Sequence, residues 1–294
     1  MSDAVTTLET QTLFSVVPGG PPDVELLVGG KIGYPGVVLT ATADGAVPTL
    51  TCKVTLPLGK GLQFVAEGGV GQYQLTVQPA QGDPKHYLGT LSHDGQTLTF
   101  TGVDPALSKK GAKSTLWVAV QAPCGGSRAD TDLTFDVEGQ KSSSTPIHVV
   151  FGFSVRPGGP PDVTLNIGGG PGYPGVVLTS KKTDKVPPQK ITVTLPPGKG
   201  LQFVAEGGAG NYQLTVLPAQ GGEKHYFGAL SGDGQTLTFT GVDPALPKKD
   251  ATSTAWVAVS APGGATQGQT HLMFNVCGYE SWSTHIDVKD TSML

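Results

Sequence analysis

Apolar and polar residues alternate with a period of two along most of this chain. The clearest stretches are Gln72-Tyr-Gln-Leu-Thr-Val, Gln96-Thr-Leu-Thr-Phe-Thr, Leu116-Trp-Val-Ala-Val and Asp132-Leu-Thr-Phe-Asp-Val. Successive side chains of a strand point to opposite faces, so this pattern marks half-buried strands. In the second stretch Leu98 and Phe100 share one face while Thr97, Thr99 and Thr101 share the other, as in a sheet with one packed and one wet side. No twelve-residue window carries a helical period. Turn chemistry punctuates the strands. Asp94-Gly95 and Asp233-Gly234 are tight-hairpin dipeptides, and Gly-Val-Asp-Pro-Ala-Leu, at Gly102 and again at Gly241, reads as a turn opened by proline.

The same words recur at a fixed distance. A shift of 139 positions brings Phe14 onto Phe153, the run PGGPPDV at Pro18 onto Pro157, GYPGVVLT at Gly33 onto Gly172 and DGQTLTFTGVDPAL at Asp94 onto Asp233, with no gap. About two thirds of the aligned positions between 14 and 149 are identical. A unit of this length has the size of a domain rather than of a solenoid repeat. The pattern predicts two domains, 1–149 and 150–294, each an all-β, two-sheet sandwich of about eight to ten strands with Greek-key connections. The junction Thr145–Val155 (TPIHVVFGFSV) is itself strand-like, which predicts a stiff, head-to-tail pair. The copies differ in patches that read as loops: Ala41–Ala46 against Ser180–Lys185, Ser127–Asp132 against Thr266–His271, and Glu138–Ser143 against Cys277–Trp282. Residues 1–147 carry a net charge of 9 − 13 = −4 and residues 148–294 one of 10 − 10 = 0, so the pair is mildly polarised.

The order Pro174-Gly-Val-Val-Leu-Thr, a variable loop, Ile191-Thr-Val-Thr-Leu-Pro-Pro-Gly, then Leu201-Gln-Phe-Val resembles the bacterial, actinobacterial-type immunoglobulin-like repeats of cell-surface and secreted proteins. The resemblance covers most of each repeat. It implies an immunoglobulin-like sandwich acting as a spacer or binding module, and it transfers no site residue.

Composition narrows the classes further. Gly (43) and Pro (24) are abundant, but only 14% of residues are charged and the net charge is −4, without the charge excess of a disordered chain. The 19 Lys+Arg are scattered among 23 Asp+Glu, which excludes a basic-patch nucleic-acid binder. Residues 1–12 (MSDAVTTLETQT) lack the basic and apolar regions of a secretory signal. The longest apolar stretch, Ile147–Val155, is far short of the roughly 20 residues of a membrane helix, so no membrane insertion is expected. An extracellular or cell-surface location is favoured, with a cytoplasmic one as the alternative. The odd cysteine count, Cys52, Cys124 and Cys277, favours free thiols, with a Cys52–Cys124 bridge as the other option.

Candidate chemistry is sparse. There is no G-x-S-x-G elbow, no zinc spacing and no phosphate-cradling glycine fingerprint. Asp130, Asp132 and Glu138 come nearest to a calcium set, but they read better as turn carboxylates. His86 and His225 match between the copies and read as strand-edge residues facing water. Glu67 and Glu206 stand a domain length apart, too far for the paired carboxylates of a glycosidase. Trp117 and Trp256, on apolar strands, are expected in the core. The binding candidates are aromatic: Tyr34 and Tyr173 in Gly-Tyr-Pro-Gly turns, and Tyr279 and Trp282 in CGYESWSTH of the second copy, expected to form a contact surface together. The expected function is a non-enzymatic binding or spacer protein that uses loops to recognise a protein or a cell-surface carbohydrate, with no catalytic residue, metal or cofactor. The alternative is a structural or assembly subunit of a virion, appendage or injection particle, formed as a homo-oligomer, and behind it an enzyme using an inter-domain groove.

Overall fold

A computed structural model describes residues 13–20, 24–159 and 163–290. The polar segment 1–12 and parts of both PGGPPDV runs lie outside these described residues. The first repeat carries β1 (Phe14–Pro18), β2 (Val24–Leu27), β3 (Gly36–Ala41), β4 (Leu50–Thr55), β5 (Gln63–Phe64), β6 (Tyr73–Pro79), β7 (Lys85–Leu91), β8 (Thr97–Val103), β9 (Lys113–Val118), β10 (Val120–Gln121), β11 (Ala129–Thr131), β12 (Thr134–Val137), β13 (Gln140–Ser143) and β14 (Ile147–Val150). The second repeat runs from β15 (Phe153–Pro157) to β28 (Ile286–Lys289) in the same order, each strand 139 positions beyond its counterpart. No helix occurs among the described residues, and none is long and apolar enough to cross a membrane.

The chain is all-β and built of two sandwich-like units, one per repeat, in agreement with the duplication. Nine strands of the first repeat make one sheet in the order β1-β3-β9-β6-β7-β8-β4-β12-β13. Its two end strands meet, Gln140 Nε2 donating to the Phe14 carbonyl at 3.1 Å, so the sheet nearly closes and its halves face each other as layers. Where two separate sheets were expected, the layers are joined by β7. That strand pairs with β6 over Lys85–Gly89 and then with β8 over Thr90 and Leu91, which is how a strand turns a sandwich corner. Gly89 sits at this corner. A Cβ there would lie 2.3 Å from the Phe100 ring, and one at Gly228 would lie 2.5 Å from Phe239, so only glycine lets β7 cross the buried phenylalanine.

The alternation places the core. Leu98, Phe100, Val54, Phe135, Leu75, Val77 and Leu116 are essentially fully buried, as are Leu237, Phe239, Val193 and Phe274 in the second repeat. Each such side chain contributes roughly 1.5–3 kcal/mol of burial. The hairpins form as their dipeptides predict. Gly95 and Gly234 adopt φ of +71° and +72°, and the Asp94 and Asp233 carboxylates accept from the backbone N–H of Gln96 and Gln235 at 3.0 Å.

Two compact units emerge from the contacts. One gathers the described residues up to Leu26, Lys31–Ala122 and Arg128–Val149; the other takes Leu27–Gly30, Pro123–Ser127 and the chain from Val150 onward. The second unit holds the disulfide, and the expectation of free thiols is corrected here. Cys124, on the short segment contributed by the first repeat, is bonded to Cys277, 153 residues away, with Cα atoms 4.4 Å apart. Gly125 N donates to the Cys277 carbonyl at 3.2 Å beside it. Gly29, with φ +69°, passes so close that a Cβ would lie 2.7 Å from Cys277 Sγ. The partners are not equivalent positions: the counterpart of Cys124 is Gly263 and that of Cys277 is Glu138, so no count within one repeat reveals the pair. Cys52 stays free and buried, and desolvation, reinforced by the charge of Asp136, pushes its thiol up to about 12.

Candidate functional site

Each repeat presents a row of side chains across the outer face of its sheet. In the second repeat the register of β17 (Gly175–Ser180), β23 (Thr252–Val257), β20 (Tyr212–Pro218) and β21 (Lys224–Leu230) aligns Gly175, Trp256, Thr215 and His225. In the first, Gly36, Trp117, Thr76 and His86 align in the same way. The expectation of core tryptophans is corrected: both are half-buried on the outer face. Period-two geometry requires it, because Leu116 and Val118, like Ala255 and Val257, take the buried face, and the residue between them must point away.

Trp256, Thr215 and His225 border a hollow of about 340 Å³ with Tyr173, Glu206, Gln213 and Glu223. The Tyr173 hydroxyl donates to Glu206 Oε1 at 2.7 Å, and Tyr34 donates to Glu67 Oε1 at 2.6 Å in the first repeat. The hydrogen bond to Glu67, then burial and the carboxylate charge, push the Tyr34 phenol up to about 12; the same causes raise Tyr173. Thr215, within the row, is buried and lies 3.2 Å from His225 Nδ1. Gln213 Nε2 lies 2.9 Å from that nitrogen and donates to it, which places the imidazole proton on Nε2. Thr76 and His86 repeat the threonine–histidine contact at 3.1 Å. The two glutamates that share no site with each other thus each belong to a local one, joined to the tyrosine of their own repeat.

The other candidates divide. Tyr279 and Trp282 both lie on β27 (Tyr279–Trp282), three residues apart, so alternation sends them to opposite faces. Tyr279 packs edge-on against Phe151 (centroids 5.3 Å) and beside Phe153 (6.3 Å), on the border of the core. Trp282 is 54% exposed and stands 6.1 Å from the His271 ring, which is 5.2 Å from His285. Asp130 accepts from the His148 ring at 2.9 Å, and Glu138 accepts from the Thr51 N–H. No three His, Cys, Asp or Glu among the described residues are grouped to hold a metal ion.

A larger hollow, about 660 Å³, lies elsewhere in the second unit and is bordered by Lys185, Lys224, Asp243, Lys248, Lys249 and Asp250 with neighbouring backbone. Asp243 accepts from Lys224 at 3.0 Å, from Lys185 at 3.2 Å and from Ala245 N–H at 2.9 Å. Burial works to raise its carboxyl, but the backbone bond and the two ammonium groups outweigh burial and hold it below the usual range. In the first repeat Asp104 accepts from Lys85 at 2.5 Å and from Ala106 N–H at 2.8 Å, and Ala46 stands where Lys185 does, so one ammonium replaces two. This hollow offers charge but no aromatic surface.

No protein-family model matches the chain, and no curated protein matches it. Solved structures with some likeness include a serine-rich repeat adhesion glycoprotein of Streptococcus agalactiae (11% identity, 92% of this chain and 96% of that one, TM-score 0.29). Others are the collagen adhesin of S. aureus (11%, 95% and 92%, TM-score 0.25) and the major pilin subunit of Bacillus cereus (9%, 95% and 66%, TM-score 0.33). At those scores the likeness carries no functional inference, and the residues have to.

Proposed function

We propose that this chain is a non-enzymatic carbohydrate-binding protein whose two repeats, residues 1–149 and 150–294, each carry a sheet-face site. One observation carries the reading: in the second repeat an indole borders a hollow together with a carboxylate-bound tyrosine, a primary amide and an imidazole, and the same residue types recur 139 positions earlier in the first repeat. A half-exposed indole offers a flat apolar surface to the C–H face of a sugar ring. The carboxylate and the imidazole N–H then meet its hydroxyls, the usual division of labour in a small-ligand site. The cystine supports an oxidising, extracellular or cell-surface setting, where disulfides persist.

Glycan-array screening followed by calorimetry on the full chain tests it. Trp256→Ala should weaken binding at the second site by about tenfold or more, as loss of a buried aromatic anchor does, and the oligosaccharide should be recovered uncut. A chain that binds no saccharide, or whose binding ignores both Trp117→Ala and Trp256→Ala, overturns the reading.

A second reading, as an assembly subunit, draws on two exposed apolar loop residues of the first unit. Val70 is fully exposed and Leu58 is 83% exposed, where the second repeat has Ala209 and Pro197. It predicts a light-scattering mass that climbs with concentration, whereas the binding reading predicts the mass of one chain throughout.

A further inference from the structure

The two sheet-face sites are not alike in charge. Glu223 borders the hollow of the second repeat beside Glu206, whereas the first repeat has Pro84 at the matching position and keeps only Glu67. None of the residues bordering the second hollow is a lysine or an arginine. The nearest cation along the chain, Lys224, is turned away to Asp243, with its Nζ 3.0 Å from Oδ2. The one other nitrogen base, His225, accepts at Nδ1 from Gln213. Glu223 itself has no hydrogen-bond or ion-pair partner among the described residues. The hollow therefore combines two carboxylates with the faces of Trp256 and Tyr173. Carboxylates attract an ammonium group by charge, and an indole face attracts it through its quadrupole.

From this juxtaposition we infer that the second repeat selects an amino sugar, its ammonium held by the Glu206 and Glu223 carboxylates and its ring laid on Trp256. The first repeat takes saccharides without that selection. The inference rests on the carbohydrate reading and sharpens it, since it assigns a ligand class to one site and withholds it from the other.

Two probes of the same skeleton separate the ideas: a short β-linked glucosamine oligosaccharide with free amines, and its fully N-acetylated counterpart. Both are titrated against the full chain carrying Trp117→Ala, so that the second site is read alone, at a pH where the amines are ionised. The free-amine probe should bind about tenfold more tightly than the acetylated one. The preference should shrink as salt is raised, because the carboxylates are solvent-facing. Glu223→Gln, which keeps the shape and removes the charge, should reduce the preference severalfold, and the second site should then resemble the first, read in the Trp256→Ala chain.

Equal or tighter binding of the acetylated probe overturns the amino-sugar assignment and leaves the carbohydrate reading standing. A preference that Glu223→Gln leaves unchanged also overturns it. Failure of both probes and of every neutral saccharide on the array removes the carbohydrate reading and the inference with it. Capture of a lysine-rich peptide with no saccharide bound does the same.

Discussion

Glu138 and Cys277 occupy the same place in the two repeats and hold the same left-handed backbone, with φ of +48° and +53°. The first uses its side chain locally, its carboxylate accepting from the Thr51 N–H. The second reaches out of its own repeat to Cys124. A strained turn between β12 and β13, and between β26 (Met273–Val276) and β27, was kept while its chemistry was exchanged. Elsewhere the copies agree or differ by the same rule. The corner glycines, the hairpin Asp-Gly pairs and the outer row of tryptophan, threonine and histidine are retained. Exchanges fall on rims: Glu223 for Pro84, Lys185 for Ala46, Trp282 for Ser143. The frame is what packing and backbone geometry dictate, and the rim is where one repeat became distinct from the other.

The largest break in this comparison is expected at the disulfide. Removing it by Cys124→Ser with Cys277→Ser should cost about 2–5 kcal/mol, on the scale of native disulfides. The loss should fall on the second unit, which contains both cysteines, while the first unit, whose equivalent turn is held by a carboxylate, keeps its transition. Differential scanning calorimetry of the two proteins decides it. Two transitions lowered together would show that the bond serves both units, and no change would show that it serves neither.

Much of this frame was legible beforehand, and what was missed has a physical cause. Alternation marked the strands because each has one wet face, and the Asp-Gly dipeptides marked the hairpins because only those residues suit the turn. The sandwich layers looked like two sheets because no local signal tells a strand that ends from one that changes partners midway; Gly89, pressed against Phe100, was the available clue. Trp117 and Trp256 were placed in the core by their apolar company, although the alternation of Leu116, Trp117 and Val118 already put the indole on the other face. Of the candidate site, Tyr34 and Tyr173 were singled out from their turns, but the glutamates they donate to lie 33 residues on, a distance only the fold closes. The Cys124–Cys277 bond was invisible because it joins positions that the repeat itself treats as unrelated.

A smaller effect separates the two lysine–aspartate clusters. Asp243, with two ammonium partners, and Asp104, with one, both have carboxyls lowered in the folded state. A lowered carboxyl adds stability that is complete above the unfolded range, near pH 4. That stability fades as pH falls through the folded value. Lys185→Ala makes the second cluster resemble the first. It should cost less than about 1 kcal/mol near neutrality, as partly exposed pairs do, and should bring the acid loss of the second unit on at a higher pH. Thermal melts across the acid range test this, and identical acid limbs for the parent and Lys185→Ala would refute a role for Lys185.

The finest distinction lies at the tyrosines. Tyr34 is pushed up to about 12 first by its hydrogen bond to Glu67, then by burial and by the carboxylate's charge. A phenol raised in the folded state contributes stability that is fully present below its unfolded value, near 10, and that disappears as pH rises through about 12. With the phenol raised to about 12, the hydroxyl stays protonated and donating to Glu67 Oε1 through the neutral range. Glu67→Gln keeps an acceptor within reach but removes the charge. It should bring the alkaline titration of one tyrosine down toward the ordinary range, followed as tyrosinate absorbance, with little change in the melting temperature. Glu206→Gln should do the same for Tyr173, whose phenol is raised by the same three causes in the same order. If both variants titrate like the parent, the tyrosine–glutamate pairs do not persist in solution. The two sites would then have to be rebuilt around their tryptophans alone.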